Sequence, residues 1–178
     1  MKRLVLLRHA KSQRDEATKD KDRPLNERGR GDAPRMGSYM HHKSYLPQLV
    51  LCSPAKRTVE TWELLAPELG VETEVRFPDP LYLASAAAIG KLVKAVGSEV
   101  SLLVVIGHNP GLEDFAHALA RKPESAKERK LDAEIRAKFP TGALAVLDFQ
   151  VNAWSEIAPG DGELVDFARP KGLDGDQD

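Results

Sequence analysis

Four short apolar runs along the chain have the length and composition of buried β-strands. Strands that helices cover on both faces are apolar at nearly every position, as in parallel sheets. Stretches with the spacing of amphipathic helices separate the runs. The sequence therefore predicts an α/β fold, a three-layer sandwich with helices on both faces of a mostly parallel central sheet. The predicted strands are residues 4–7, 49–52, 102–106 and 143–149.

Three of the helix-like stretches follow a residue that can cap a helix N-terminus. Ser53, Ser85 and Asn109 each precede a segment with apolar residues three and four positions apart. Proline, which is favoured in the first helical turn, follows Ser53 and Asn109. Gly70 and Gly97 indicate where the first two helices end.

The remaining segments give weaker patterns. Residues 26–43 are typical of a helix, although Pro34 makes its start uncertain. Charge dominates residues 123–138, which predicts a solvated helix face or a mobile connection. Residues 163–167 follow a glycine-rich turn and are predicted to form an antiparallel edge strand. We expect a single domain over residues 1–170 and a flexible tail over 171–178.

Composition narrows the classes of function and location. The 178 residues carry 26 basic and 27 acidic side chains, a net charge of -1, so no global field favours nucleic acid or an anionic membrane. Cys52 is the single cysteine and follows an apolar run, which predicts a small buried side chain with no chemical role. The first strand begins at the N-terminus without a long apolar segment, so we expect a cytoplasmic protein. We also expect a monomer.

Candidate chemistry lies where the predicted strands end. Arg8 and His9 follow the first strand, Arg57 lies in the first turn of the helix after the second, and His108 and Asn109 follow the central strand. Carboxyl ends of parallel strands meet at one sheet edge, where α/β proteins bind ligands. Helix N-termini there also attract anions. Guanidinium groups bind phosphate, and an imidazole can act as a nucleophile near pH 7, so this arrangement suggests phosphoryl chemistry.

The motifs around these residues resemble the histidine phosphatase superfamily, and most of all its SixA-type phosphohistidine phosphatases. "LVLLRHA" is similar to the nucleophile motif, "CSPAKRTVETW" to the segment of the second arginine, and "VVIGHNPGLE" to that of the second histidine. "RPLNERG", "LYLAS" and "FPTGALAVLDF" extend the resemblance over nearly the whole chain. It implies the phosphoglycerate mutase-like fold and a hydrolase that needs neither cofactor nor metal.

The resemblance also implies roles for individual residues. His9 would be the nucleophile that takes the phosphoryl group, Arg8 and Arg57 would bind its equatorial oxygens, and His108 would be hydrogen-bonded to the same group. We place Asn109 and Ser12 among the substrate-binding residues, with Ser12 in a polar stretch, residues 11–23, that could frame the substrate or be a solvated loop.

One departure from the wider superfamily bears on the substrate. Mutases and broad phosphatases of the superfamily carry an acid after the third strand, whereas Tyr82 stands near that place here. Loss of a general acid is most costly for an alkoxide leaving group and least for an imidazole. Phosphohistidine in a protein is therefore the expected substrate. Asp15, Asp22 and Asp79 are the candidate acids, although the pattern around each favours an ordinary loop carboxylate or cap.

Two alternatives remain open. One is a phosphatase of small phosphate esters such as sugar phosphates, for which a carboxylate must reach the leaving group. The other is a non-catalytic module that binds a phosphorylated partner in the same cationic pocket. Replacement of His9 separates an enzyme, which loses turnover, from a binding module, which keeps its effect.

Overall fold

A single mixed sheet forms the centre of the protein. In the computed structural model, which describes residues 1–173, six strands lie in the order β3-β2-β4-β1-β5-β6. They are β1 (Lys2–Arg8), β2 (Leu49–Cys52), β3 (Glu74–Arg76), β4 (Leu102–Gly107), β5 (Leu144–Phe149) and β6 (Glu163–Ala168). The four predicted strands are confirmed. β3 was not predicted, because it is short and exposes Glu74 and Arg76.

Strand direction places the candidate residues. β1 pairs in parallel with β4, β4 with β2, and β2 with β3, so these four strands end at the same edge of the sheet. β5 pairs antiparallel with β1, and β6 pairs antiparallel with β5 at the outer edge. The mostly parallel sheet and the antiparallel edge strand are both as predicted.

Five α-helices connect the strands within residues 1–173. They are α1 (Glu27–His42), α2 (Lys56–Leu69), α3 (Ala86–Lys94), α4 (Gly111–Leu119) and α5 (Ala126–Ala137). Asn26 and Ser85 cap α1 and α3, each accepting a hydrogen bond from a backbone N–H in the first turn. Pro34 lies within α1 and does not delay its start.

Two of the predicted helix starts are wrong by one or two residues. α2 begins at Lys56 after Ala55, and the Ser53 hydroxyl is hydrogen-bonded to His108 and to the N–H of Ala55, which lies before the helix. α4 begins at Gly111, although the Asn109 side chain still accepts a hydrogen bond from the N–H of Glu113. The two shifted starts leave the loops after β2 and β4 longer than predicted.

The two faces of the sheet bury separate apolar clusters, which gives the three layers of the predicted sandwich. In β1, Leu4 and Leu6 pack into one cluster, which contains residues of α3, α4 and α5. Val5 and Leu7 pack into the other, with residues of α1 and α2. Alternate residues of a strand point to opposite faces, so an unbroken apolar run is the expected result of burial on both.

The charge-rich segment before β5 is a helix with a buried side. Leu131 and Ile135 of α5 pack into the core, while the buried Glu128 forms an ion pair at 2.9 Å with Arg121, which is partly exposed. The prediction of a solvated helix face is therefore correct for only part of its surface. Because charged residues surround Leu131 and Ile135 in the sequence, the buried face of this helix was not predicted.

The flexible tail was predicted over residues 171–178, of which the structure describes 171–173. Leu173 packs against the second cluster, so the start of the predicted flexible tail contacts the domain. Residues 174–178 lie outside the described residues. Cys52 is buried as predicted, and burial raises the pKa of its thiol. Within residues 1–173, every helix is too short or too polar to span a bilayer.

Candidate active site

A cavity of about 350 Å³ opens at the edge where the parallel strands end. Arg8 is the last residue of β1 and His9 follows it, Arg57 lies in the first turn of α2, and His108 follows β4. All four line the cavity. The structure thus brings together the residues that the sequence assigns to one sheet edge.

Hydrogen bonding defines the protonation of His9. Its Nδ1 lies 2.7 Å from the carbonyl oxygen of Ala10. A carbonyl only accepts, so Nδ1 carries the hydrogen and the neutral ring keeps its lone pair on Nε2. Within residues 1–173, Nε2 has no hydrogen-bond partner, and His9 lines the cavity. The ring therefore presents an unprotonated nitrogen for nucleophilic attack.

The environment keeps His9 neutral at physiological pH. Burial is the main cause that lowers its pKa to about 3; the bond to Ala10 acts in the opposite direction, and His108, Arg57 and Arg8 contribute smaller decreases. Loss of hydration is thus a larger cause than the charge of the neighbouring arginines. A neutral imidazole is the form that can attack phosphorus.

His108 faces His9 across the cavity. The ring centroids lie 5.4 Å apart, and Nε2 of His108 is 2.7 Å from Oγ of Ser53. Burial, followed by the charge of Arg57, lowers the pKa of His108 to about 4. Its Nδ1 is buried without a partner among the described residues. Ser53 thus fixes a neutral ring, whose other nitrogen is buried and makes no hydrogen bond with the described residues.

Arg57 is held by a residue that the sequence analysis did not single out. Its side chain is buried, with the whole residue only 2% exposed, and Nη1 donates to the carbonyl oxygen of Asp20 at 2.8 Å. Nη2 donates to Oδ2 of the same residue at 3.2 Å. Asp20 thus contacts both terminal nitrogens of the guanidinium.

The Asp20 carboxylate is the centre of a wider network. Oδ1 accepts hydrogen bonds from Nε and Nη2 of Arg23 at 3.2 and 3.0 Å, and Oδ2 accepts one from the Tyr82 hydroxyl. The bond from Tyr82 is the largest cause that lowers the pKa of Asp20 to about 2. Tyr82 also packs edge-on against the ring of His108, with centroids 5.6 Å apart. Asp20 is therefore anionic at neutral pH.

The other predicted binding residues also line the cavity. Nη1 of Arg8 and Nδ2 of Asn109 both donate to the carbonyl oxygen of Phe139, at 3.1 and 3.0 Å. Oγ of Ser12 accepts a hydrogen bond from Arg23 at 2.8 Å. Nε of Arg8 and Nε of Arg57 are buried without a partner among residues 1–173. Both guanidinium groups therefore retain an unused donor.

The three predicted acids do not meet the cavity. Asp15 bonds to Thr18 within an exposed loop, and Asp22 and Asp79 belong to 3₁₀ turns, Asp20–Asp22 and Asp79–Leu81. None of the three lines the cavity, whereas Asp20 does. Their role as leaving-group acids stays a prediction, which the lining of this cavity does not favour. The sequence signal that could have indicated Asp20 is its spacing from Arg23, three positions away, with which it forms an ion pair.

Positive charge dominates the lining of the cavity. Asp20 is the one carboxylate there among the described residues, and the basic residues are Arg8, Lys11, Arg14, Arg23, Arg28, Arg57 and Lys138. The N-terminus of α2 lies at the same edge and adds partial positive charge. An anion is therefore the ligand that this cavity favours.

Sequence comparison identifies the relatives of the chain. A family model described as "Histidine phosphatase superfamily (branch 1)" matches residues 4–77. An uncharacterized protein of Mycobacterium tuberculosis is 33% identical over 165 residues, which cover 93% of this chain and 100% of that protein.

Solved structures extend the match to the whole domain. The putative phosphohistidine phosphatase SixA of Nakamurella multipartitia is 30% identical, with a TM-score of 0.81 over 95% of this chain and 96% of the other. The corresponding protein of Agrobacterium tumefaciens is also 30% identical, with a TM-score of 0.78 over 95% and 98% of the two chains. The site residues therefore lie in a fold that these proteins share from end to end.

Proposed function

Because the chain belongs to the histidine phosphatase superfamily, we propose that it is a phosphatase that removes the phosphoryl group from phosphohistidine in a protein. Phosphatase activity follows from the family and from its SixA-like structures. The substrate class is the further step, and the names of the two solved relatives agree with it.

The geometry supports a two-step transfer. Nε2 of His9 attacks phosphorus, the bond from phosphorus to the substrate imidazole breaks, and that imidazole leaves with a proton from solvent. Water then attacks the phosphoryl group on His9, the new P–N bond breaks, and inorganic phosphate leaves. Arg8 and Arg57 balance the charge on the phosphoryl oxygens, and the bond from Nδ1 to Ala10 holds the ring.

The observation that carries the choice of substrate is the protonation state of Asp20, the one carboxylate among the described residues of the cavity lining. Asp20 has a pKa of about 2 and is engaged with Arg57, Arg23 and Tyr82, so it holds no proton to donate near pH 7. An alkoxide requires such a proton when it leaves, and general acid assistance contributes about 10²–10⁴-fold. An imidazole can take its proton from solvent and depends less on an acid of the protein, which favours a phosphorus–nitrogen bond in the substrate.

The test is to incubate the protein with a phosphohistidine-bearing protein domain and with a panel of phosphomonoesters. We expect faster release of phosphate from the phosphohistidine domain and an acid-labile phosphoenzyme after rapid quenching. His9→Ala should form no phosphoenzyme, whereas the matched surface variant His42→Ala should behave as wild type. Efficient cleavage of small esters together with an inert phosphohistidine domain would contradict the proposed substrate. A His9→Ala variant with undiminished turnover would contradict the mechanism.

A further inference from the structure

One large apolar side chain projects from the mouth of the cationic cavity. Leu83 is 55% exposed and lines the cavity together with basic residues. An exposed leucine on its own needs no explanation. Beside an anion site, however, a phosphate alone offers no apolar surface to cover it. The position therefore calls for an apolar contact from the substrate side.

The backbone holds Leu83 in this position. Its φ is 49°, in the left-handed region that a leucine rarely adopts. Leu81 and Ala84 on either side are buried in the core, and the N–H of Ala84 donates to the carbonyl of Leu81 at 3.3 Å. The two anchored neighbours turn the intervening side chain outward. Unfavourable backbone conformations of this kind tend to be retained at functional positions.

The basic residues of the mouth exceed the needs of one phosphoryl group. Arg8 and Arg57 adjoin His9, whereas Lys11, Arg14 and Lys138 line the same cavity. These three side chains make no hydrogen bond or ion pair with any described residue. Their charge is available to carboxylates that surround the phosphoryl group on a partner.

We propose that Leu83 and the cationic mouth, Lys11, Arg14 and Lys138, form a docking surface for the protein substrate, an inference that rests on the proposed function. The occupant is a folded domain whose phosphohistidine lies on an exposed face between acidic side chains and an apolar one. The carboxylates complement the cationic mouth, and the apolar side chain covers Leu83. Contacts outside the phosphoryl group then let the enzyme distinguish the protein substrate from free phosphohistidine.

Leu83→Gly tests the apolar part of this surface without loss of folding. Glycine adopts positive φ without strain, so the variant should unfold at the same or a higher temperature than wild type. We expect kcat/KM for the phosphohistidine domain to fall about 10-fold, as for removal of an apolar anchor from an interface. The ratio of this kcat/KM to that for free phosphohistidine should fall by a similar factor.

Ser44→Gly is the matched control. Ser44 also has a positive φ, of 61°, and it is exposed and absent from the cavity lining. Its replacement relieves the same type of backbone strain and should leave kcat/KM for both substrates unchanged.

Arg14→Gln tests the charged part of the surface. It should reduce the salt dependence of turnover for the phosphohistidine domain but not for free phosphohistidine. The control is Arg129→Gln, at an exposed position on α5.

The outcomes separate docking from chemistry. A decrease in kcat/KM for the phosphohistidine domain, with no decrease for free phosphohistidine, supports the docking surface. An unchanged ratio in Leu83→Gly, while wild type hydrolyses both phosphohistidine substrates, overturns the docking surface and leaves the proposed function intact. A wild-type protein that ignores the phosphohistidine domain and cleaves small esters overturns both.

Discussion

Asp20 holds Arg57 through two different groups, its backbone carbonyl at 2.8 Å from Nη1 and its carboxylate at 3.2 Å from Nη2. The carbonyl contact depends on the 3₁₀ turn at Asp20–Asp22, whereas the carboxylate contact depends on the side chain. The two contributions can therefore be separated by substitution. The carbonyl positions the guanidinium, and the carboxylate competes with any other anion for it.

Asp20→Asn should bind inorganic phosphate about 5-fold more tightly than wild type at low salt. The substitution removes the one negative charge among the described lining residues and keeps the carbonyl contact to Arg57. Titration calorimetry with phosphate measures the change. Asp79→Asn, which is exposed and outside the lining, serves as the control. Weaker binding by Asp20→Asn would show that the carboxylate mainly positions the arginine.

Ser53→Ala should lower kcat/KM about 3- to 10-fold, because a single hydrogen bond contributes roughly 0.5–1.5 kcal/mol. The bond lost is the 2.7 Å contact that fixes His108. Ring ¹⁵N chemical shifts of His108 should change in the variant, while those of His9 stay closer to wild type. Ser101→Ala, at an exposed position, should alter neither turnover nor shifts. Unchanged His108 shifts in Ser53→Ala would contradict the positioning role.

Stability should fall as the pH decreases below 6.5. In the unfolded chain His9 takes up a proton near pH 6.5, but in the folded protein it does so only near pH 3. Between these values the unfolded state binds more protons, so acid favours unfolding. His108, with a pKa of about 4, acts in the same direction.

The variant His9→Gln isolates the contribution of one ring. The loss of unfolding free energy between pH 7 and pH 5 should be smaller by about 2 kcal/mol in the variant than in wild type. Urea denaturation at the two pH values measures it. His42→Gln, on the surface, should keep the wild-type loss. An equal loss in His9→Gln and wild type would mean that the folded-state pKa of His9 is close to its ordinary value.

Two glycines of α1 should respond in opposite ways to alanine. A Cβ at Gly29 would lie 2.1 Å from the carbonyl oxygen of Lys11, so Gly29→Ala must displace the loop after His9 and should destabilise the fold by about 1–3 kcal/mol. A Cβ at Gly31 meets nothing within 4 Å, so Gly31→Ala should stabilise by up to about 1 kcal/mol. Urea denaturation compares the pair. Equal effects would show that Gly29 is not required for close packing.

Much of the sheet and the placement of four site residues follow from local sequence. Unbroken apolar runs identify β1, β2 and β4, and parallel strands bring their carboxyl ends together. β3 escapes prediction because Glu74 and Arg76 are polar and the strand has only three residues. An edge strand with exposed side chains has no apolar signature.

The residues that hold His108 and Arg57 in place, Ser53 and Asp20, could not be predicted from local sequence in the same way. Ser53 has the residue type of a helix cap, and only the fold shows that its hydroxyl meets His108, fifty-five positions away. Asp20 is one charge among many in a polar stretch, and its contact with Arg57 depends on the path of the loop. Side chains that act across the chain leave no periodic pattern, so their partners appear only in three dimensions.

The strand order has a consequence for synthesis on the ribosome. His9 follows β1, and Arg57 lies in the helix that follows β2. These two strands are not neighbours, because β4 lies between them and pairs with both. A nascent chain that has emerged only as far as α3 therefore lacks the strand that joins the two halves of the cavity. The protein acquires its reactive centre only after Leu102–Gly107 has left the exit tunnel.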